Sequence, residues 1–427
     1  MRVVIDKIVY PGRRMAMGKG QVVFTDEGLP GELVEAEIIR RKKNYIEART
    51  VAILAESERR IRPRCGHYKA CSSYQPLPYE DQVELKRCQL KEIMEGIPTS
   101  AENDFTFVPS PEIWHYRNKV RLSIYWEGSR ARLAYHQSGS RDKFVPIESC
   151  HLVAESINEL FGSLVKCVEE NGLSSLREAE AKANRAGRGE LLLSLYWTSA
   201  RDSKALDPIL SALLSRFPMA GVVSYEKRGT AEREIVEWGK PVIEERIGEI
   251  RYQIGSRSFF QVNVGMLETV IEDVKKLAAF QGTERLGDFY CGLGTFGIAL
   301  AGAVKEVYGV ESDPANIQFL KANVGLNNLS RFTIFEGRSG EWIPKLLEKE
   351  LDAAVFDPPR KGLDPETIAA LLRRPVPAIL YLSCNPTTLA RDLKALLPGY
   401  RIKAIRGYDF FPHTPHIETL AVLNRRP

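Results

Sequence analysis

A cysteine and a glutamate near the end of the chain are the residues whose types and surroundings most suggest reaction chemistry. Cys384 follows the apolar run AILYLS and precedes Asn385-Pro386 and the helix-like segment TLARDLKALL. A thiol in front of a helix faces the positive end of the helix dipole, which lowers the thiol pKa and favours the nucleophilic thiolate. Glu418, after FPHTPHI, belongs to a second cluster of polar residues near the end of the chain. A buried inert cysteine and an exposed strand carboxylate are the alternative interpretations.

A glycine-rich turn lies between an apolar strand and a helix earlier in the chain. After RLGDFYC comes GLGTFG, in which Gly292, Gly294 and Gly297 fit the pattern G-x-G-x-x-G. Glycines there let the backbone approach a ligand closely, and Glu311, which ends the next strand, could accept hydrogen bonds from a ribose. The pattern suits a dinucleotide as well as S-adenosylmethionine, so a nicotinamide-dependent dehydrogenase stays open on this motif alone.

Strands and helices alternate from about residue 256 to the end, which predicts an α/β fold with a doubly wound, mostly parallel sheet. Ligands bind such sheets outside the carboxyl ends of the strands. Tyr290, Glu311, Asp357 and Cys384 each follow or end a strand-like run. We therefore expect these four residues to converge on one crevice.

The rest of the chain divides into two further regions. Residues 1–56 contain short β-prone runs separated by Gly- and Pro-containing turns, which predicts a small five-stranded barrel of the oligonucleotide-binding type. Residues 57–255 mix strand-like runs with a helical stretch and a cysteine-containing loop. The predicted organisation is a barrel at 1–56, a mixed central region at 57–255 and a Rossmann-like domain at 256–427.

Composition restricts the class of protein. With 427 residues, 44% hydrophobic and 27% charged, the chain is too long for one small module and too apolar to be disordered. No apolar run of about 18 residues and no standard secretory signal is present, which predicts a cytoplasmic protein without a membrane span. Seven cysteines, an odd number, do not suggest a disulfide framework.

Positive charge is concentrated at the N-terminus. Residues 1–64 hold 14 Lys and Arg against 9 Asp and Glu, and this excess of 5 equals the net charge of the whole chain. Two clusters, RRKK at 40–43 and RRIRPR at 59–64, suit contact with phosphates, while a solvated charged rim is the alternative. Deletion of residues 1–56 is expected to weaken RNA binding and leave the crevice intact.

The C-terminal motifs together resemble a known family. In order and spacing, SFFQVN, DFYCGLGTFGIALA, GVESDPANIQFLKANVGLNN, FDPPRKG, LSCNPTTLARDL and FPHTPHIE are similar to those of the RNA (uracil-5)-methyltransferase family. The N-terminal barrel resembles the TRAM domain of its ribosomal-RNA branch, and YRNKVRLSIYW resembles its central domain. The resemblance spans nearly the whole chain.

This resemblance implies a reaction and roles for particular residues. Cys384 would attack C6 of uracil, C5 would take the methyl group of S-adenosylmethionine, and Glu418 would remove the C5 proton. Thr295 departs from the family, which more often has Asn or Asp there. By the family's pattern the cofactor would be held by Gln261, Tyr290, Gly292, Gly294, Thr295, Glu311 and Asp357.

The resemblance also implies an iron-sulfur site that this sequence matches incompletely. Many family members bind a 4Fe-4S cluster through C-x5-C-x2-C and a distant fourth cysteine. Cys65 and Cys71 match the first two cysteines of this motif, and Cys150 matches the distant one. Tyr74 stands at the position of the third cysteine. Four thiolates are the usual requirement. Two possibilities stay open: a cluster that is labile to oxygen, or a cluster-free loop in which Tyr74 fills the space.

The implied partner is a structured RNA, with 23S rRNA favoured by the barrel and tRNA as the alternative; a monomer is expected. Two other functions remain at this stage. One is the dehydrogenase, which would need neither a nucleophilic cysteine nor an RNA-binding barrel. The other is a non-catalytic RNA-binding or RNA-folding protein, for which Cys384 would be dispensable.

Overall fold

The computed structural model describes residues 1–18, 20–98, 105–136, 143–185, 189–199 and 206–427. Across these ranges, none of the helices combines the length and the apolar character needed to cross a membrane.

The N-terminal strands close into a barrel, with hydrogen-bonded order β1-β2-β3-β5-β4. Val3, Ile5, Val23, Val34 and Ile46 fill its interior, and buried and exposed positions alternate along the strands. The predicted five-stranded barrel is therefore confirmed. Its strands are β1 (Arg2–Val9), β2 (Arg13–Gly18), β3 (Gln21–Thr25), β4 (Leu33–Arg41) and β5 (Tyr45–Ala55).

The central region, residues 57–255, contains a seven-stranded sheet of order β13-β12-β11-β10-β7-β8-β9 and a separate hairpin, β14-β15. One face of the sheet buries Trp197 and many aliphatic side chains against helices α3 and α4. The helices are α1 (Tyr68–Cys71), α2 (Tyr79–Ile93), α3 (Glu155–Glu170) and α4 (Leu206–Leu214). The strands are β6 (Phe105–Val108), β7 (Lys119–Glu127), β8 (Arg130–His136), β9 (Phe144–Ile147), β10 (Leu176–Ala183), β11 (Leu191–Trp197), β12 (Met219–Arg228), β13 (Ala231–Gly239), β14 (Val242–Ile247) and β15 (Ile250–Gly255).

The C-terminal region forms an eight-stranded sheet of order β18-β17-β16-β19-β20-β22-β21-β6. The five strands β16 to β20 are parallel to one another, and apolar cores lie on both faces. This confirms the predicted doubly wound α/β fold. The helices are α5 (Val264–Ala278), α6 (Thr295–Leu300), α7 (Pro314–Leu326), α8 (Ser339–Leu347), α9 (Pro365–Arg373) and α10 (Pro386–Leu396). The strands are β16 (Arg285–Phe289), β17 (Glu306–Glu311), β18 (Phe332–Glu336), β19 (Ala353–Phe356), β20 (Ala378–Ser383), β21 (Tyr400–Tyr408) and β22 (Glu418–Arg425).

One edge strand of this sheet comes from far upstream. β6 pairs in parallel with β21, with Phe105 opposite Ile405 and Val108 opposite Tyr408. Phe105 and Phe107 pack against the core on one face of the sheet, and Leu90 of α2 is buried in that core. The chain therefore starts the C-terminal sheet before it builds the seven-stranded one, a contribution that the sequence did not predict.

Three helices that follow strands of this sheet begin in the same way. Asp313, Asp364 and Asn385 are the N-cap residues of α7, α9 and α10, and each is followed by proline at the first helical position. Each cap side chain accepts a backbone N–H bond of its helix, at 2.8 Å for Asp313 and Asp364 and 3.2 Å for Asn385. An Asx cap and a first-turn proline fix the turn from strand to helix. These sharp starts hold the residues at the strand ends in place.

Candidate active site

A cavity of about 780 Å³ opens at the carboxyl ends of β16 and β19. These neighbours are where the strand order of the parallel sheet reverses, the usual ligand crevice of an open α/β sheet. The convergence of strand ends expected from the sequence is therefore present. Eight of the predicted catalytic and cofactor residues lie on the cavity wall: Gln261, Tyr290, Gly292, Thr295, Glu311, Asp357, Cys384 and Glu418.

The glycine-rich turn shapes one end of the cavity. Gly292 has φ 57°, and its N–H donates to Oε2 of Glu311 at 2.8 Å. Gly294 has φ 87° and caps α6, and a Cβ there would lie 2.7 Å from side-chain atoms of Ile298 and Leu320. Gly294 thus shapes the turn from its packed side, while Gly292 lies on the cavity wall. Both positions need glycine, because a side chain would be strained or would clash.

Glu311 is held firmly at the end of β17. Its Oε1 accepts the N–H groups of Ser312 at 2.7 Å and Asp313 at 2.8 Å, in addition to the bond from Gly292 to Oε2. A fixed carboxylate beside a glycine turn suits the two hydroxyls of a ribose. Together with Tyr290, whose hydroxyl donates to Asp364 at 3.2 Å, these residues fit an adenosine-containing cofactor.

Cys384 lies at the carboxyl end of β20, one residue before the cap of α10. The backbone oxygen of Arg360 accepts bonds from Asn385 Nδ2 at 3.2 Å and Thr388 Oγ1 at 3.1 Å. The loop after β19 is therefore tied to the turn that carries the thiol. This brings the Arg360 guanidinium close enough to Cys384 to act on its charge.

The Cys384 thiol is harder to ionise than the sequence suggested. Burial raises its pKa to about 11, and the carboxyl groups of Glu418 and Asp357 add to the increase, while Arg360 opposes it. The expected lowering by the helix dipole is wrong. The main reason is that the thiol is largely withdrawn from water, which disfavours the thiolate, and the neighbouring carboxyl groups add to this effect.

The two carboxyl groups also hold their protons tightly. Burial raises the pKa of Glu418 well above its usual value, Asp357 adds to the shift and Arg360 opposes it. Burial likewise raises the pKa of Asp357 to about 7. A carboxylate with a raised pKa is a stronger base than an exposed one. Glu418 is thus suited to take a proton from carbon once it is ionised.

Several cavity residues were not assigned from the sequence. Arg117 comes from the segment before β7, and Phe259, with 58% of its surface exposed, comes from the segment before α5. Phe411 and His416 come from the loop between β21 and β22. The motifs YRNKVRLSIYW, SFFQVN and FPHTPHIE contain all four, so the signal was a motif rather than a strand end.

The barrel approaches the β21–β22 loop beside this cavity. A Cβ on Gly12, in the turn between β1 and β2, would lie 2.9 Å from Cβ of Pro415 in the β21–β22 loop. Burial raises the pKa of Tyr10 to about 12; Arg360 opposes the shift, whereas Cys384 and Glu418 add to it. Residues 1–56 are not among the residues that line the cavity, and the effect of their deletion on the crevice stays a prediction.

The two basic clusters differ in whether their side chains contact other groups of the protein. Arg59 pairs with Asp81 at 2.8 Å, and Arg60 pairs with the buried carboxylate of Glu32 at 2.6 Å. Arg64 stacks over the ring of Trp114 at 4.4 Å. These three arginines of the second cluster are thus engaged in contacts within the protein. The first cluster, at 40–43, has exposed side chains at 40, 41 and 43.

The cysteine loop does not fit an iron-sulfur cluster. Tyr74 is fully buried among Ile8, Leu29 and Leu77, and its hydroxyl donates to Gln89 Oε1 at 3.3 Å. In the described ranges no set of three or more His, Cys, Asp or Glu side chains could hold a metal ion. The aromatic ring therefore belongs to the packing between barrel and α2, as the cluster-free possibility requires.

The three cysteine thiols are engaged with protein groups. Cys65 accepts a bond from Gln75 Nε2 at 3.2 Å, and Cys150 accepts one from the Tyr135 hydroxyl at 3.4 Å. Burial raises the pKa of Cys65, and it raises that of Cys71 to about 11. The hydrogen bonds of Cys65 and Cys150 would have to break before either thiol could ligate iron.

Tyr74→Cys is expected to lower the free energy of unfolding by about 2 to 4 kcal/mol, because it empties a packed aromatic site. Tyr74→Phe, the matched control, should cost only about 1 kcal/mol through the lost hydroxyl bond. Urea unfolding measures both changes. After anaerobic incubation with iron and sulfide, neither the wild-type protein nor Tyr74→Cys should retain iron. A brown wild-type protein with about four irons per chain would contradict this.

Comparison with known proteins identifies the relatives of this chain. Residues 78–426 match the family described as tRNA (Uracil-5-)-methyltransferase. An uncharacterized RNA methyltransferase of Bacillus cereus (strain ATCC 10987 / NRS 248) is 31% identical, over 99% of this chain and 96% of its own length. One of Clostridium acetobutylicum is 30% identical over 96% and 95%.

A solved structure shares the whole architecture. The crystal structure of Pyrococcus abyssi tRNA (uracil-54, C5)-methyltransferase in complex with S-adenosyl-L-homocysteine matches with a TM-score of 0.79 and 28% identity. The match covers 99% of this chain and 100% of that chain. A family match over most of the sequence, with relatives aligned nearly end to end, shows that this chain belongs to the tRNA (uracil-5-)-methyltransferase family of RNA methyltransferases.

Proposed function

We propose that this enzyme methylates C5 of a uridine in a structured RNA through a covalent bond between Cys384 and C6 of the base. The observation that supports this most is the shared cavity wall, on which a thiol and two buried carboxyl groups face a glycine turn and Glu311. Such a cavity offers a nucleophile, a base and a cofactor cradle in one place.

The proposed steps assign the bonds and protons as follows. Cys384 transfers its proton to solvent and its sulfur bonds to C6, which moves the C5–C6 electron pair toward O4 as an enolate. C5 then bonds to the methyl group and the donor leaves as a thioether. The carboxylate of Glu418 takes the proton from C5, the C5–C6 double bond forms again, and the thiolate of Cys384 is expelled.

Arg360 has a place in this scheme. Its positive charge lowers the pKa of both Cys384 and Glu418, which favours the anionic forms that both steps need. The raised thiol pKa also strengthens the sulfur nucleophile once it is formed. Arg360 is therefore proposed as the group that makes ionisation possible in a buried site.

We propose that S-adenosylmethionine is bound by the residues that the sequence analysis assigned to the cofactor. Glu311 would accept the ribose hydroxyls, and the turn at Gly292 lets the backbone approach the cofactor. Gln261, Tyr290, Thr295 and Asp357 line the space between that turn and the thiol. When bound, S-adenosylmethionine supplies an electrophilic methyl group. The protein's part is to orient it toward C5.

A tRNA is the proposed substrate, because the Pyrococcus abyssi protein that matches over the full length is a tRNA (uracil-54, C5)-methyltransferase. 23S rRNA, favoured by the resemblance of the barrel to a TRAM domain, is the second candidate. The target base would have to leave its stack to reach the thiol, which is easiest for a uridine in an RNA loop.

We also propose that the protein is a monomer and that it acts in the cytoplasm.

The direct test uses unmodified transcripts of tRNA and of 23S rRNA fragments, incubated with enzyme and S-adenosylmethionine carrying a labelled methyl group. Nucleoside mass spectrometry should find labelled 5-methyluridine in one of them at a single position. Label on cytidine, or on no nucleoside of either RNA, would refute the proposed function.

The barrel is proposed to bind RNA phosphates through its first basic cluster. Arg40 and Arg41 are exposed at the end of β4, and in the described part of the barrel neither forms an ion pair. Close by in sequence, Tyr45 packs edge to face with Phe24, and Arg13 lies 4.0 Å above the Phe24 ring. Aromatic and basic groups together suit single-stranded RNA.

The double variant Arg40→Gln, Arg41→Gln should weaken RNA binding and reduce the slope of log affinity against log salt by about one per lost phosphate contact. Filter binding at several salt concentrations measures both. Arg49→Gln is the control, because Arg49 is already paired with Glu37 at 2.7 Å. Equal RNA affinity in the double variant and the control would assign the barrel a structural role only.

A further inference from the structure

A buried lysine of the central sheet is bound to the segment that leads into the cofactor cavity. Lys182, near the end of β10, is only 4% exposed. Its Nζ donates to the backbone oxygens of Gly255 at 2.7 Å, Ser256 at 2.8 Å and Ser258 at 2.8 Å. All three ammonium donors are thus used by one short stretch of backbone.

That stretch, residues 255–261, carries part of the cavity wall. Phe259 and Gln261 both line the cavity. The same stretch has two further bonds to the central region: Tyr225 OH lies 2.9 Å from Ser256 Oγ, and Asn118 Nδ2 donates to the Gln261 oxygen at 3.2 Å. Hydrogen bonds from Lys182, Tyr225 and Asn118 of the central region therefore anchor this part of the cavity wall.

The three carbonyl groups depend on the N–H donors of Lys182. Burial and the neighbouring Lys119 lower the pKa of Lys182 to about 7, while Glu180 opposes the shift. Oxygens that converge within 2.8 Å of one nitrogen carry partial negative charges that repel one another when no cation lies between them. Without Lys182 they would be left as unsatisfied acceptors in a buried place, which is costly. The backbone would relieve this by turning at least one carbonyl toward solvent, and Phe259 and Gln261 would move with it.

We propose that Lys182 is a positioning residue for the cofactor cavity: its ammonium fixes the curled backbone of residues 255–261 and so sets the affinity for S-adenosylmethionine. The proposal rests on the proposed function, since it takes the cavity as the cofactor site. On this proposal the central sheet contributes to cofactor binding through Lys182, in addition to any contact that it makes with RNA.

The test compares Lys182→Met with Lys119→Met. Lys119 lies directly opposite Lys182 on β7 and pairs with Glu180 at 3.1 Å, so its removal takes the same charge from the same sheet and breaks none of the three bonds to residues 255–261. Loss of the Lys119 charge also removes a repulsion that lowers the pKa of Lys182, so the ammonium of Lys182 becomes easier to keep. Isothermal titration with S-adenosylhomocysteine should show at least about tenfold weaker binding for Lys182→Met and less than about twofold change for Lys119→Met. RNA affinity by filter binding should stay within about twofold of wild type in both.

A second variant covers the case in which Lys182→Met does not fold. Tyr225→Phe removes only the bond to Ser256 and should weaken S-adenosylhomocysteine binding by about two- to fivefold, with KM for the methyl donor rising and kcat little changed. Unchanged S-adenosylhomocysteine affinity in every folded variant would refute the role of Lys182. Wild-type protein that fails to bind S-adenosylhomocysteine would instead refute the proposed function.

Discussion

Replacing Cys384 with alanine is expected to lower the rate of 5-methyluridine formation by more than about 10³-fold, because the base then has no nucleophile to activate C5. The thiol is half-buried at the end of β20, and its neighbours Asp357, Arg360 and Glu418 all act on its charge. Alanine removes the sulfur without adding bulk, so the cavity should still bind S-adenosylhomocysteine. The measurement is methyl transfer to RNA in single turnover.

RNA with 5-fluorouridine at the target position gives the direct evidence for the covalent bond. The fluorine cannot be removed as a proton, so the wild-type protein should accumulate a complex that survives denaturing electrophoresis. Cys384→Ala should form none. Cys88→Ala, which changes an exposed cysteine on α2, should trap RNA as the wild type does. A trapped complex with Cys384→Ala would show that another group attacks the base.

The second large effect is expected for Glu418→Gln. Glutamine keeps the size of the side chain but cannot take the C5 proton, so attack and methyl transfer should proceed while elimination stops. The result should be a methylated covalent complex that accumulates with natural uridine. Intact mass spectrometry of the complex would show RNA and one methyl group on the protein, and turnover should fall by about 10² to 10⁴-fold.

Normal turnover of Glu418→Gln would show that another group is the base. His416 is the alternative on the cavity wall, because burial lowers its pKa to about 4 and leaves the ring neutral and able to accept a proton. The comparison variant is His416→Ala in the Glu418→Gln background. If turnover is normal in Glu418→Gln and falls only when His416→Ala is added, the base is His416.

Much of the site could be predicted because its residues follow strands, and strands can be recognised from the sequence. Tyr290, Asp357 and Cys384 follow parallel strands, and the carboxyl ends of such strands meet at one edge whatever the loops do. The glycine pattern alone could not separate a methyltransferase from a dehydrogenase. The family match of residues 78–426 and the relatives named RNA methyltransferases decide against both the dehydrogenase and the non-catalytic alternative.

What the sequence did not predict depends on residues that are distant in the chain. The raised pKa of Cys384 results first from burial and then from carboxyl groups on β22 and after β19, and no local pattern around the thiol contains either cause. The contact of Gly12 with Pro415 and the pairing of β6 with β21 have the same character. The arginines at 59 and 60 looked like phosphate ligands because their partners, Asp81 and Glu32, are not neighbours in sequence.

The edge position of β6 has a consequence for synthesis on the ribosome. Phe105 emerges 405 − 105 = 300 residues before its partner Ile405. At about 5 to 20 residues per second, this strand waits roughly 15 to 60 seconds for the strand that it pairs with. During that time Phe105 and Phe107 have no core to join, while the barrel and the seven-stranded sheet can already fold around them. The nascent chain therefore exposes an apolar, unpaired strand during synthesis, which is the kind of segment that aggregates unless a chaperone covers it.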